Sequence, residues 1–174
     1  MTETFSIRRL TFEDLATYQV LREGMLAAYP ESFTSQAISD ATNLPPLRYA
    51  SRLGETTEPG AQISFGCFQD VQLQGAITLE RDAKTKLHHT AHIIGMMVNG
   101  KWQGRGMGRA LLSTCIATAR LTAGLEMLTL SVTASNPAAV ALYARAGFIR
   151  YGCLQRAIKL GDRYLDKNLM VLAL

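Results

Sequence analysis

A chain of 174 residues corresponds to about one domain at roughly 150 residues per domain. With 48% apolar and 18% charged residues it is too hydrophobic for a disordered segment and has enough apolar surface for a sizeable core. Its net charge of +4 suits an anionic small ligand and is too small and too dispersed for a nucleic-acid binder.

The cysteines, Cys67, Cys115 and Cys153, form no CxxC and no zinc spacing, so they read as reduced thiols of a cytoplasmic protein. Arg8 and Arg9 are followed by no apolar h-region, and no signal peptide is expected. The longest uncharged run, residues 127–144, is broken by Thr129, Ser131, Thr133, Ser135 and Asn136-Pro137 and makes a poor membrane span. The expectation is one soluble domain over residues 1–174, with no membrane partner.

Residues 5–10 alternate like a short strand. Thr11 with Asp14 resembles a helix N-cap, opening a helix through about Ala28 that Pro30 ends. Residues 31–60, with Pro45, Pro46 and Pro59, read as a long excursion carrying a short helix near 47–53, of the kind that often shapes a substrate mouth. Residues 62–68 and 72–80 read as a hairpin, and 88–98 as a third strand. The end of that third strand, 93–98, is apolar on both faces and belongs centrally in a covered sheet. From Gly108 to Leu121 a stripe of Leu111, Leu112, Cys115, Ile116 and Ala119 marks a helix.

Residues 125–135 alternate strictly, with Leu128, Leu130, Val132 and Ala134 facing one way, and form a strand. Asn136 caps a helix with Pro137 at its first position and Gly147 as its stop. Two strands near 153–159 and 168–174 close the chain across a turn at Gly161-Asp162. Strands in a row give antiparallel pairing, and the two single-helix crossovers add parallel pairing. The fold class is α/β (α+β): a mixed sheet in a single domain.

The most informative segment is Gln103-Gly104-Arg105-Gly106-Met107-Gly108, between a buried strand and an amphipathic helix. Its glycines allow close approach and positive φ, and the helix behind them aims free N–H groups and a positive dipole end at the loop. Strand, glycine loop and helix together make a phosphate site, with Arg105 and Arg109 adding charge. A Walker loop fails because Arg109-Ala110 follows Gly108. A dinucleotide fingerprint has the wrong glycine spacing, although Glu126 lies where a ribose-binding acid stands, so a nicotinamide-nucleotide oxidoreductase stays as a rival reading.

Gln103-x-x-Gly106-x-Gly108 resembles the pyrophosphate loop of the GNAT superfamily, the acyl-CoA-dependent N-acyltransferases. Asn136-Pro-Ala-Ala-Val-Ala-Leu-Tyr143-Ala-Arg-Ala-Gly147-Phe148 resembles that superfamily's second signature, and residues 161–170 its terminal hairpin. The resemblance implies a mostly antiparallel sheet with helices on both faces, and acetyl-CoA or another acyl-CoA as co-substrate. It implies acetyl transfer to a primary amine of a small molecule or peptide by direct attack, without a metal. The residues from Gln103 to Arg109 would hold the pyrophosphate, Met97 and Val98 would pair their backbone with the pantetheine arm, and Asn136 and Tyr143 would border the thiol. A non-catalytic acyl-CoA-binding module is the second alternative.

A primary amine of pKa ~10.4 is only about 1 part in 2,500 neutral at pH 7, so a proton acceptor matters. Many family members carry a glutamate eleven residues before the loop's first residue. Here that position holds His92, either a base titrating near neutrality or a hydrogen-bonded strand histidine. His88, His89 and His92 do not form a metal site, because His89 points away from the other two on a strand. Tyr143 is implied as the group facing the departing thiolate, more as a hydrogen-bond stabiliser than as a full acid, or else it packs its helix on the sheet. Tyr29, Phe33 and Tyr164 would wall the acceptor site by the same analogy, or are ordinary aromatics. The terminal hairpin offers an edge for a homodimer.

Overall fold

The computed structural model describes residues 4–37 and 47–174; Pro45 and Pro46 of the long excursion lie outside the described residues. Ten elements follow in chain order: β1 (Ser6–Arg9), α1 (Leu15–Ala28), β2 (Gln62–Gln69), β3 (Gln72–Arg81), β4 (Thr90–Val98), α2 (Met107–Leu121), β5 (Met127–Thr133), α3 (Pro137–Arg145), β6 (Ile149–Leu160) and β7 (Arg163–Ala173). Thr11 opens a single 3-10 turn over Phe12–Asp14, with its N–H donating to Asp14 Oδ2 at 2.9 Å, and α1 continues from it. A second short turn at Ala50–Leu53 is what forms of the helix expected near 47–53.

The strands make one seven-stranded sheet in the order β1-β2-β3-β4-β5-β7-β6. Only β4 and β5 run parallel; every other pairing is antiparallel. The second crossover adds no parallel pair, contrary to the sequence expectation, because β7 inserts between β5 and β6. Strand β6 also starts at Ile149 rather than near 153. Its first residues are exposed on an edge strand, so no buried alternation marked them.

Two apolar clusters lie on opposite faces, as the alternation of Ala76 and Ile77 along β3 requires. Helix α1 covers one face through Leu15, Tyr18 and Met25, against Leu73, Ala76 and Met97. Helices α2 and α3 cover the other through Leu111, Cys115 and Tyr143, against Ile77, Leu79 and Leu128. No helix among the described residues is long and apolar enough to cross a membrane.

What positions the site is the fork between β4 and β5. They pair only at Thr90↔Met127, Ala91↔Leu128 and His92↔Thr129, and residues 93–98 of β4 have no partner on β5. A bulge accompanies the fork: Ala76 and Thr78 of β3 face Met97 and Ile94, and Gly95 between them takes φ +61°. The extra residue turns Met97 toward α1 and leaves Met96 and Val98 packed on the α2 side.

Candidate active site

The fork opens into a cavity of about 1150 Å³ that runs from the glycine loop to the end of α1. That exceeds the ~300–1,000 Å³ of a small-ligand cleft and suits an elongated ligand together with a second one. Met97, Val98, Gln103, Gly104, Arg105, Gly106, Gly108, Arg109 and Asn136 line it, as do Tyr29 and Phe33.

The loop behaves as its composition requires. Gly104 and Gly106 take φ +76° and +87°, and a Cβ at either would meet nothing within 4 Å, so conformation rather than crowding selects glycine there. Gly106 is the N-cap of α2, which leaves the first N–H groups of the helix facing the loop without side-chain caps. Gln103 folds back, and its Nε2 donates to the Val98 carbonyl at 3.1 Å. Arg105 lies over the Trp102 ring at 4.8 Å, and both line the cavity. Arg145, at the last turn of α3, adds a third guanidinium that the sequence reading missed. Met107 does not line the cavity: its side chain is 1% exposed in the core, which leaves only its backbone near the loop.

Asn136 caps α3 through Oδ1, which accepts from the Ala139 N–H at 3.1 Å. Tyr143 is not brought to the cavity wall; Ala139, Leu142 and Ala146 of the same helix are. Its ring packs edge-on against Phe148, centroids 5.9 Å apart, in the core that holds Cys115. Burial, and next the Cys115 thiol, push the phenol well above its ordinary range, and burial pushes Cys115 up to about 12. A phenol so placed stays protonated and can donate a hydrogen bond, but it is a weaker acid than a free tyrosine.

His92 stands outside the cavity wall, on the last rung that joins β4 to β5. Its Nδ1 meets Thr129 Oγ1 at 2.6 Å and its Nε2 lies 3.5 Å from Asp82 Oδ2, so a carboxylate does accompany this histidine. His88 is engaged separately, its Nε2 at 3.1 Å from the Ala83 carbonyl. Among the described residues, the acid that lines the cavity is Glu31, in the turn Pro30–Ser32 after α1. Its backbone carbonyl accepts from Thr133 Oγ1 at 2.8 Å, which ties the turn to β5 beside Ser135 and Asn136. Nothing in the sequence distinguished Glu31 from its neighbours, since 102 residues separate it from Thr133. Tyr164 lies elsewhere: it is 43% exposed on the terminal hairpin, with the Arg156 guanidinium 3.9 Å above its ring.

Glu126 is exposed just before β5 begins, at the opposite end of that strand from the fork, so it is not placed as a ribose-binding acid.

A family model described as the acetyltransferase (GNAT) family matches residues 21–148. No match is found among curated proteins. Among solved structures, an acetyltransferase from Salmonella typhimurium with its cofactor acetyl-CoA aligns over 98% of this chain and 94% of its own, at 20% identity and a TM-score of 0.80. The ribosomal-protein-alanine N-acetyltransferase of Brucella melitensis aligns over 97% and 99%, at 21% identity and a TM-score of 0.77. The spermidine N-acetyltransferase of Vibrio cholerae, in complex with CoA and spermine, aligns over 97% and 95%, at 20% identity and a TM-score of 0.75. At these identities the likeness is one of fold.

Proposed function

The chain belongs to the acetyltransferase (GNAT) family, and on that premise we propose that it transfers an acetyl group from acetyl-CoA to the primary amine of a small molecule or peptide. The observation that carries this reading is the continuity of one cavity from the glycine loop, past the unpaired edge of β4, to the aromatic end of α1. The residues present fit such a co-substrate. Free N–H groups of α2 and the guanidinia of Arg105, Arg109 and Arg145 match a pyrophosphate, and residues 93–98 of β4 offer backbone to an extended arm.

Acetyl-CoA, when bound, supplies an acetyl thioester: the amine nitrogen forms a bond to the carbonyl carbon, the C–S bond breaks and the thiolate leaves. The chain's part is to orient, to polarise and to move protons. A backbone N–H at Met97 or Val98 polarises the thioester carbonyl. Glu31, an acid of the cavity wall, takes a proton from the acceptor's ammonium and so frees the neutral amine that attacks, the role that sequence spacing gave to His92. Tyr143 packs in the core behind the cavity wall, where it anchors α3 on the sheet rather than donating to the departing thiolate. The two helices hold the loop and the Asn136 turn on either side of the fork. One of the sheet's two edge strands, β6, exposes Ile149, Tyr151 and Leu154 and is where a second copy would pair.

A thiol-release assay with acetyl-CoA against amines of several classes tests the reading. Amine-dependent release supports it. Binding of acetyl-CoA with no release for any amine favours a non-catalytic acyl-CoA-binding module.

A further inference from the structure

Acetyl transfer leaves the chemistry of the acceptor open, and the face covered by α1 narrows it. Arg22, in the middle of α1, is 3% exposed, yet its Nε and Nη1 have no hydrogen-bond partner among the described residues. Its Cζ stands 4.5 Å from the centre of the Phe33 ring, and Phe33 lines the cavity. The polar neighbours of the guanidinium are Tyr18, Tyr49 and a second cation, Arg52. Arg52 is half-buried, donates from Nη1 to Tyr18 Oη at 3.1 Å and packs on Gly95, the bulge residue just before Met96, Met97 and Val98 of the cavity wall.

Among the described residues, the acids of this region are engaged elsewhere. Glu23 lies 3.1 Å from Arg48 Nε and accepts from the Tyr49 hydroxyl at 2.8 Å. Glu80 accepts from Gln62. Asp82 faces His92. Two guanidinia thus converge behind the reaction fork without a carboxylate between them among the described residues. Burying a guanidinium with no counter-charge is strongly unfavourable, and a like charge beside it adds to the cost. Burial, and the repulsion from Arg52, both pull the Arg22 pKa down. Such a pair suits a ligand that brings the missing charge, since the planar fork of arginine matches a carboxylate in two-pronged fashion.

We propose that Arg22 and Arg52 form an anion-reading subsite for the acceptor, which is therefore an amine bearing its own carboxylate, of the free amino-acid class. Half-buried Arg52 meets the anion first, and Arg22 backs it as the Phe33 ring gives way. The amine of the same molecule then lies toward Glu31. This subsite rests on the acetyl-transfer reading, and its test separates the two.

The experiment measures thiol release from acetyl-CoA by the full chain with matched acceptors, each an amino acid and the amine left when its carboxylate is removed: methionine with 3-(methylthio)propylamine, and phenylalanine with phenethylamine. Spermidine serves as the polyamine, and calorimetry gives the acetyl-CoA Kd of every variant. The subsite predicts a kcat/KM about tenfold or more higher for the carboxylated member of at least one pair. Arg22→Met and Arg52→Met then raise the KM of that member about tenfold and narrow the gap within the pair, with the acetyl-CoA Kd held within about twofold. Equal or faster turnover of the decarboxylated amines or of spermidine overturns it, as does an unchanged KM in both variants. Acetyl-CoA binding without turnover of any carboxylated acceptor overturns the subsite alone. Failure to bind acetyl-CoA overturns the acetyl-transfer reading and the subsite with it.

Discussion

The Gln103 side chain donates from Nε2 to the Val98 carbonyl at 3.1 Å, and so fastens the start of the glycine loop to the end of the strand that borders the cavity. The two halves of the proposed acyl-CoA site, loop and strand edge, are thereby held in one register. One such hydrogen bond contributes about 0.5–1.5 kcal/mol. Gln103→Ala should therefore weaken acetyl-CoA binding roughly 3- to 10-fold by calorimetry, with the melting temperature little changed.

Gly106 and Gly108 should respond differently to alanine. At Gly106 the backbone has φ +87° with open space around a Cβ, so the cost is conformational, about 1–2 kcal/mol. A fall of roughly 2–8 °C in Tm is expected, with weaker acetyl-CoA binding. At Gly108 the conformation is helical, and a Cβ would meet the flexible Met96 Cε at 3.3 Å. Gly108→Ala should keep the Tm within about 2 °C, because alanine is the better helix former by about 1 kcal/mol.

The local half of this site was legible in the sequence, and the long-range half was not. Gln103, the glycines, Asn136 and Pro137 act through neighbours a few residues away, so caps, turns and helix starts could be read directly. For Tyr143 the sequence leaves two roles open, facing the thiolate or packing its helix on the sheet, because a helix alone does not say which of its sides meets the sheet; the ring packs on Phe148. His92 was chosen by counting along the strand, and counting does not reveal where β4 and β5 part. Glu31 and Arg22 come from the first helix and the turn after it, brought to the fork by contacts far apart in sequence. The antiparallel pairing of β2, β3 and β4 and the parallel step to β5 are legible in the sequence, whereas the insertion of β7 beside β5 is set by pairing at long range.

The two candidate bases can be separated by mutation. Glu31→Gln should lower kcat/KM roughly 10²- to 10⁴-fold, the span of general-base catalysis, with acetyl-CoA affinity intact. His92→Ala should change kcat/KM by less than about 3-fold, since the ring is held by Thr129 and Asp82 away from the cavity wall. Loss of a rate inflection near neutral pH in His92→Ala, with Glu31→Gln active, would return the role to the histidine.

Tyr143→Phe tests the placement of this ring in the core. A phenol behind the cavity wall touches none of the reacting atoms, so kcat should change by less than about 3-fold, and the pH profile below pH 9 should keep its shape. A loss of a thousandfold would make Tyr143 a full proton donor instead.

Alkaline stability follows from the same buried groups. Burial raises Cys67 to about 11 and Cys115 to about 12, and it raises Tyr143 as well. Each ionises more readily in the unfolded chain, so the stability they contribute is complete below their unfolded pKa values and is lost as pH rises toward the folded ones. Denaturant midpoints should hold to about pH 8.5 and then fall steadily toward pH 11. Cys115→Ala, despite a lower starting stability of about 1 kcal/mol or more from the cavity it leaves, should show a shallower fall. A midpoint independent of pH over that range would contradict the burial of these groups.

Calorimetric titration of the intact chain with acetyl-CoA, with NAD as the comparison ligand, asks whether the fork between β4 and β5 and the glycine loop form an acyl-CoA site. Acetyl-CoA should bind at micromolar strength or tighter, ~8 kcal/mol or more, with no heat of binding for NAD. A folded chain that binds NAD, or that binds neither ligand, would contradict such a site.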